Sequence, residues 1–193
     1  MASSVCVFCG SQYGSDPVYR RVATTLGELL GAAGIAVIYG GGHVGLMGAV
    51  ADAAMAAGGE VIGLIPTRLL EREVGHRAIT TLITTRDMFE RKQQMIDRAD
   101  AFAILPGGLG TLDELLEVIT LRQLGYHDKP IVLLNLGGYW DPFIALVDQV
   151  VRHDFALPSA RTLYRVVGTV DQVLPALGIA QPATAPLRIA QGD

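Results

Sequence analysis

Short apolar runs rich in β-branched residues alternate with longer helical patterns along almost the whole chain. Several of these runs, such as AFAIL at 101–105 and IVLL at 131–134, are apolar at every position. A strand buried on only one face alternates apolar and polar side chains, so the uniform runs predict strands that are covered on both faces. The pattern therefore predicts an α/β fold: a Rossmann-like, doubly wound parallel sheet with helices on both faces.

The same alternation gives the predicted boundaries of the elements. The strands are predicted at residues 4–9, 35–39, 60–66, 79–84, 101–105, 130–135 and 164–167. The helices are predicted at residues 17–33, 46–57, 87–99, 112–124, 140–153 and 170–177. A chain of 193 residues suits one domain, which we place at 1–179. The stretch 180–193 has no periodicity, and we expect it to form a flexible C-terminal tail.

Charge and hydropathy exclude several classes of partner. The formal net charge of -4 gives no basic surface for DNA or RNA. No apolar stretch reaches the roughly 20 residues of a membrane-spanning helix. The N-terminus, MASSVCVFCG, lacks the basic leader and long apolar region of a signal peptide. We therefore expect a cytoplasmic protein that binds neither nucleic acid nor a membrane.

Cys6 and Cys9 form a C-x-x-C pair inside an apolar run. On a strand, residues three apart point to opposite faces, whereas a redox pair normally opens a helix. No second cysteine pair is available to complete a zinc site. We interpret both thiols as small core residues. Because the four histidines are scattered without ligand spacing, we also expect no metal site.

Three glycine-rich loops follow apolar strands: CGSQYG at 9–14, YGGGHVGLMG at 39–48 and PGGLGTLDE at 106–114. In doubly wound sheets ligands bind at the carboxyl ends of the strands, so these loops predict one shared site. The second loop matches G-x-G-x-x-G, but a dinucleotide fingerprint belongs to the first βα unit and needs an acid after the next strand. We favour a loop that lines a ligand over an NAD site; a tight turn with close helix packing is the alternative.

The third loop is typical of an anion site. Gly107, Gly108 and Gly110 allow main-chain N–H groups to face a ligand, and Thr111 is predicted to open a helix whose N-terminus attracts a phosphate. The lysine of a Walker A loop is missing, so ATP hydrolysis is not expected. The spacing of Thr111 and Glu114 also matches a capping box. Glu114 therefore has two possible roles, a structural one in the helix cap and a catalytic one.

The stretch DMFERKQQM at 87–95 supplies candidate cations. Asp87 and Glu90 match a capping box that starts a helix, and Met88, Arg91, Lys92 and Met95 then fall on neighbouring turns. Basic residues on a helix often face solvent. The two methionines instead predict an inward stripe, and an inward guanidinium needs an anion such as Glu114 or a phosphate.

YGGGHVGLMG, MFERK and PGGLGTLDE, in this order and at this separation, closely resemble the LOG family of cytokinin-activating nucleotide phosphoribohydrolases, from about residue 5 to 177. The resemblance implies a Rossmann-like homodimer that splits N6-substituted adenosine 5′-monophosphates into free base and ribose 5-phosphate, with no cofactor. It implies that Arg91 and Glu114 are the catalytic pair. Residue 113 is Asp where glutamate is common, and Leu109 replaces an aromatic residue found in many plant members.

The corresponding substrate contacts are assigned to fifteen positions in five regions of the chain. They are Gly10, Ser11, Gly41, Gly42, Glu73, Met88, Lys92, Gly107, Gly108, Leu109, Gly110, Thr111, Leu112, Asp113 and Thr120.

Three other functions are alternatives to phosphoribohydrolase activity. Some relatives have carried the label lysine decarboxylase, but that chemistry uses a Schiff-base lysine. The two lysines are Lys92, in the proposed nucleotide site, and Lys129, before a strand at the opposite edge of the sheet. A broad purine nucleotide nucleosidase acting on AMP and a non-catalytic binding protein resembling the molybdenum-cofactor carriers remain as alternatives.

A mean hydropathy of +0.38 is high for a domain whose surface is exposed to solvent, and this supports the homodimer. The candidate interface is the helix predicted at 112–124, which is apolar at Leu115, Leu116, Ile119 and Leu124. Core packing explains the same stripe equally well.

Overall fold

One seven-stranded parallel sheet organises the computed structural model, which describes residues 2–70 and 75–180. Its strands are β1 (Ser4–Phe8), β2 (Ala36–Tyr39), β3 (Val61–Pro66), β4 (Thr81–Thr85), β5 (Ala101–Ile104), β6 (Ile131–Leu134) and β7 (Arg165–Val167). Its α-helices are α1 (Pro17–Ala32), α2 (Gly45–Ala56), α3 (Thr67–Leu70), α4 (Met88–Arg98), α5 (Leu109–Gln123), α6 (Asp141–Arg152) and α7 (Val173–Ala176). The predicted doubly wound α/β fold is confirmed.

The strand order is β4-β3-β2-β1-β5-β6-β7. The chain winds outward from β1 to β4 and then returns to place β5 against the other side of β1, with Val5 opposite Ala101. The winding direction therefore reverses between β1 and β5. In doubly wound sheets this reversal opens a crevice at the carboxyl ends of the strands, where ligands bind.

Two apolar clusters cover the two faces of the sheet. On one face α1, α2 and α7 pack on the strands, and on the other α4, α5 and α6 do so. Cys6 belongs to one cluster and Cys9 to the other, so the prediction that both thiols are core residues on opposite faces is confirmed. Burial raises the pKa of each thiol, which keeps both protonated.

The close packing of α1 on α2 depends on small residues. A Cβ at Gly27 would meet the Val50 carbonyl and the Ala53 side chain, and one at Gly31 would meet the Ala54 carbonyl. The two helix backbones therefore approach more closely than any larger residue would allow.

Local signals place most helix starts correctly. Asp16 caps α1 by accepting a hydrogen bond from the Val18 N–H at 2.8 Å, and Pro17 occupies its first turn. Asp87 caps α4 by accepting from the Glu90 N–H at 2.9 Å. The reciprocal half of the predicted capping box is wrong, because the Glu90 carboxylate accepts from the Arg86 N–H instead.

Two predicted elements differ from the structure near the chain ends. The helix predicted at 170–177 is a 3₁₀ turn, Val170–Gln172, followed by the four-residue α7, because Thr169 and Gln172 close a capping box around the first turn. The predicted tail falls almost wholly on residues 181–193, which lie outside the described residues. Among the described residues, no helix is both long and apolar enough to span a membrane.

Candidate active site

The three glycine-rich loops meet at the crevice between β1 and β5. The Gly10 N–H donates to the Pro106 carbonyl at 3.1 Å, and the Leu46 N–H donates to the Gly10 carbonyl at 3.0 Å. A Cβ at Gly107 would collide with the Gly10 nitrogen and the Thr111 hydroxyl, so glycine is required there by close approach. The predicted convergence of the loops is confirmed.

Helix α5 begins earlier than the sequence predicts. Its N-cap is Gly108, in an extended conformation, and no side chain caps the first turn. Thr111 is the third helical residue instead of the cap, so the predicted capping box of Thr111 and Glu114 is wrong. The Thr111 side chain packs against Gly107 and is almost fully buried. Since the first N–H groups of a helix have no intrahelical acceptor, a glycine cap leaves them available to an anion.

A cavity of about 210 Å³ lies in front of the α5 N-terminus. The predicted site residues that line it are Ser11, Met88, Arg91, Gly108, Leu109, Gly110, Thr111, Asp113 and Glu114. A second cavity of about 260 Å³ shares Ser11 and Gly108 with the first, and Gly10 and Gly107 line this second space. The structure thus brings most of the predicted contacts into two adjoining cavities.

Four predicted contacts besides Lys92 lie elsewhere in the described structure. Gly41 and Gly42 turn the chain beside β3: Gly41 has a φ of +77° and its carbonyl accepts from the His76 N–H, while Gly42 pairs with Gly75. Neither lines the cavity, but Gly40 and Met47 of the same loop do, so the loop both turns tightly and lines the site. Leu112 packs against the core cluster, and Thr120 is exposed two turns further along α5. Glu73 lies outside the described residues.

Arg91 is directed inward, as predicted, and is only 5% exposed. Its Nε donates to the Leu64 carbonyl and its Nη2 to the Gly40 carbonyl, both at 3.1 Å. A Cβ at Gly40 would occupy the position of the guanidinium, so only glycine admits the arginine at this point. The two carbonyls fix the guanidinium in the cavity wall, where its charge can act on a ligand.

Glu114 is 8% exposed and lines the same cavity as Arg91. Both charges act on the buried Cys6 thiol of β1. Burial raises the pKa of that thiol well above its usual range, the negative charge of Glu114 raises it further and the positive charge of Arg91 opposes this. The carboxylate and the guanidinium therefore both lie near β1, one on α5 and the other on α4, and both side chains are themselves buried.

Lys92 connects two helices. Its Nζ lies 3.0 Å from Asp113 Oδ2 and 3.1 Å from Glu117 Oε2, so it joins α4 to α5. Burial alone would lower its pKa, but the hydrogen bonds and charges of the two carboxylates raise it above the usual value. Asp113 reaches the cavity wall and Lys92 does not. In this structure the lysine orients α5 against α4.

One contact at the site could not be predicted from the glycine-rich motifs. The Tyr139 hydroxyl donates to the Gly107 carbonyl at 2.5 Å and lines the second cavity. Tyr139 follows β6 by five residues, at the same edge of the sheet as the other loops. A search for polar and aromatic residues after every strand, instead of glycine clusters alone, would have found it.

Similar proteins identify the family. The family model described as possible lysine decarboxylase matches residues 47–177. A probable cytokinin riboside 5′-monophosphate phosphoribohydrolase of Oryza sativa subsp. japonica is 45% identical over 173 residues, which is 90% of this chain and 71% of that protein. A cytokinin riboside 5′-monophosphate phosphoribohydrolase of Arabidopsis thaliana is 43% identical over 173 residues, 90% of this chain and 80% of that protein. This chain belongs to the LOG family.

Solved structures agree with the LOG-family fold. The molybdenum cofactor binding protein from Rippkaea orientalis superposes with a TM-score of 0.70 at 20% identity, over 92% of this chain and 96% of that one. The molybdenum cofactor carrier protein from Chlamydomonas reinhardtii gives a TM-score of 0.67 at 20% identity, over 92% and 97% of the two chains. At this level of identity the likeness shows a shared fold alone.

The words lysine decarboxylase in the family description do not fit the positions of the lysines in this LOG-family chain. Lys92 joins two helices, and the Lys129 Nζ donates to the Ile96 carbonyl at 2.7 Å. Neither lines the cavity that holds Arg91 and Glu114. A Schiff-base lysine would have to reach the ligand, so these positions do not support pyridoxal-dependent chemistry.

Proposed function

We propose that this LOG-family chain hydrolyses the N-glycosidic bond of N6-substituted adenosine 5′-monophosphates, releasing free base and ribose 5-phosphate. One observation carries the proposal. A buried carboxylate, Glu114, and a buried guanidinium, Arg91, line one cavity together with the uncapped N-terminus of α5. The relatives of Oryza sativa and Arabidopsis thaliana bear the name of this activity.

The phosphate is assigned to the N-terminus of α5. Gly108, Leu109 and Gly110 line the cavity at this point, and the helix dipole adds to the attraction of their N–H groups for an anion. Held there, the 5′-phosphate places the ribose deeper in the cavity, towards Glu114. The phosphate is remote from the bond that breaks, so its binding energy can position the reacting carbon.

Glu114 is assigned to the ribose. Breaking an N-glycosidic bond builds positive charge on the sugar ring, and a carboxylate can stabilise that charge, attack the anomeric carbon or activate water. Because Glu114 is buried, the interaction is stronger than it would be in water. Arg91 remains protonated, so it is a poor proton donor. Its proposed role is to bind negative charge on the nucleotide and to position it against Glu114.

A direct test is incubation of the purified protein with N6-isopentenyl-AMP and, separately, with AMP, followed by chromatography for free base and ribose 5-phosphate. We expect release of isopentenyladenine with a higher kcat/KM than release of adenine. Equal kcat/KM values would instead identify a broad purine nucleotide nucleosidase. Binding of both nucleotides without any release of base would identify a non-catalytic carrier.

The homodimer is a further proposal, because the neighbouring helices α4 and α5 both expose large apolar side chains. Phe89 on α4 and Leu109 and Leu116 on α5 are exposed by 80%, 85% and 49%. Of the predicted apolar stripe on α5, Leu115 and Ile119 belong to the core, while Leu116 and Leu124 remain exposed. The proposed interface is therefore the outer face of α4 and α5. We also propose a cytoplasmic location, where nucleotide substrates occur.

Light scattering at micromolar concentration is expected to give twice the 20.5 kDa chain mass. Phe89→Glu should shift the protein towards the single-chain mass, because a charge in an apolar interface has no partner. Phe155→Glu is the matched control: Phe155 is also 85% exposed, but it follows α6 at the opposite edge of the sheet. A wild-type mass of 20.5 kDa would rule out the dimer.

A further inference from the structure

Two histidines and an aspartate meet on the α2 side of the sheet, outside the cavity described above. His43 lies between β2 and α2, Asp52 lies on α2, and His76 lies before β4. His76 Nε2 is 2.7 Å from Asp52 Oδ1, and the rings of His43 and His76 are 4.3 Å apart between centroids. One ligand atom from each of the three residues lies within 4.8 Å of the other two.

The histidines have no ligand spacing in the sequence, yet the fold brings two of them together with Asp52. His43 and His76 come from two loops that are distant in sequence, and the sheet brings the loops together. Neither spacing nor composition marks such a cluster before the fold is known.

Backbone contacts hold the cluster in place. The His76 N–H donates to the Gly41 carbonyl at 2.9 Å, and Gly42 pairs with Gly75, so the two loops form one unit. Gly48 allows the His43 carbonyl to approach α2, since a Cβ there would overlap that carbonyl. These contacts thus fix the backbone of His43 and of His76 beside α2.

The cluster is anchored at one end and open at the other. His76 is 4% exposed, whereas the Asp52 side chain is 60% exposed and His43 also faces solvent. An ion and its water molecules can therefore reach the ligand atoms.

Within the described part of the chain, the Tyr39 hydroxyl is buried without a hydrogen-bond partner. Burial raises its pKa, and the nearby charge of Asp52 raises it further.

The combination of ligands points to a class of metal. Two imidazoles and one carboxylate suit Zn²⁺ and its neighbours in the transition series, whereas Mg²⁺ and Ca²⁺ prefer oxygen ligands throughout. Three protein ligands and one water complete a tetrahedral zinc site. We propose that His43, Asp52 and His76 form a binding site for a divalent transition-metal ion of the zinc class.

Small side-chain movements are enough to bind the ion. Ligands about 2.0–2.2 Å from zinc lie roughly 3.4 Å from one another, which is less than the present limit of 4.8 Å. Rotation of the exposed His43 and Asp52 side chains closes this difference. The hydrogen bond between His76 and Asp52 is replaced by two bonds to the ion. The contact from the Ala78 N–H to His76 Nδ1 is long, at 3.4 Å, and contributes little.

The ion would join the loop after β2, helix α2 and the segment before β4. None of its three ligands lines the cavity of Arg91 and Glu114, so the ion would not contact the nucleotide. The expected effect is on stability, because an ion that binds only the folded chain shifts the unfolding equilibrium.

The test uses the full chain, freed of any affinity tag and stripped with a chelator. Calorimetric titration with Zn²⁺ is expected to show one ion per chain, and titration with Co²⁺ should give visible absorption bands typical of a protein site. At free Zn²⁺ about 100-fold above Kd, the Tm should rise by roughly 5–10 °C.

His43→Ala and Asp52→Asn should each weaken Zn²⁺ binding at least tenfold and remove most of the rise in Tm. Both positions are exposed, so both variants should fold. His153→Ala, at an exposed histidine that follows α6, is the matched control and should behave as wild type. The site does not exist if the wild type fails to bind Zn²⁺ at millimolar concentration, or if His43→Ala and Asp52→Asn bind it with unchanged affinity.

Discussion

Glu114→Gln is expected to lower kcat for base release by about 10²–10³-fold. Glutamine keeps the shape of the side chain but removes the negative charge that we assign to the ribose. Glu114 does not belong to a helix cap, since α5 begins at Gly108 without a capping side chain. The fold should therefore persist, and the variant should differ from wild type by only a few degrees in Tm. Steady-state kinetics with N6-isopentenyl-AMP and thermal melting together measure the two effects.

Arg91→Ala should lower kcat to a similar extent. It should also reduce stability by about 1–3 kcal/mol, because the buried carbonyls of Leu64 and Gly40 lose their donors. Arg98→Ala provides the matched control, since Arg98 is an exposed arginine in the last turn of the same helix.

Full turnover by Glu114→Gln would show that the carboxylate has a structural role and would overturn the proposed mechanism.

The second large effect concerns the phosphate. Nucleoside 5′-monophosphates are expected to be cleaved with a kcat/KM at least about 10²-fold higher than that of the matching nucleosides, because binding energy at a remote group positions the reacting carbon. Isopentenyladenosine lacks the group that we place at the N-terminus of α5. Equal rates for isopentenyladenosine and its monophosphate would show that the loop does not bind phosphate, even if base release itself were confirmed.

Gly108→Val tests the same interaction from the side of the protein. A Cβ at Gly108 meets no protein atom, and the backbone there is extended, a conformation that valine readily adopts. The side chain would extend into open space between the two cavities and crowd a phosphate without straining the fold. Cleavage of the monophosphate should fall while cleavage of the nucleoside stays unchanged. Gly168→Val is the matched control, because a Cβ at Gly168 also meets no protein atom and Gly168 lines neither cavity.

The architecture could be predicted from the sequence because the hydrophobic pattern determines it. Runs such as AFAIL and IVLL are apolar on both faces, and this requires a sheet covered on both sides. Each of the three glycine-rich loops follows a strand, so the sequence also predicts that they lie at the same edge of the sheet. The inward direction of Arg91 agrees with the predicted inward stripe only at Met95, which is fully buried, because Met88 lines the cavity but is 38% exposed.

The errors have a different physical origin. The start of α5 was misplaced because Thr111 has the better capping chemistry, whereas the fold places an extended glycine, Gly108, before the first turn. The contacts of Lys92 with Asp113 and Glu117 cannot be predicted from the sequence, because the two carboxylates lie on another helix. The cluster of His43 and His76 depends on loop contacts that only the assembled sheet supplies.

The two carbonyl contacts of Arg91 have a consequence for the energetics of turnover. Immobilising a free arginine side chain costs about 2 kcal/mol of rotamer entropy. Here that loss occurs when the sheet assembles, since Leu64 lies on β3 and Gly40 directly follows β2. The guanidinium of Arg91 then does not have to be reoriented when the substrate binds or when the bond breaks. In water, by contrast, the solvent dipoles have to reorient around a developing charge, which slows the reaction. Substitutions that shift the ends of β2 and β3 should therefore slow the reaction without touching the nucleotide.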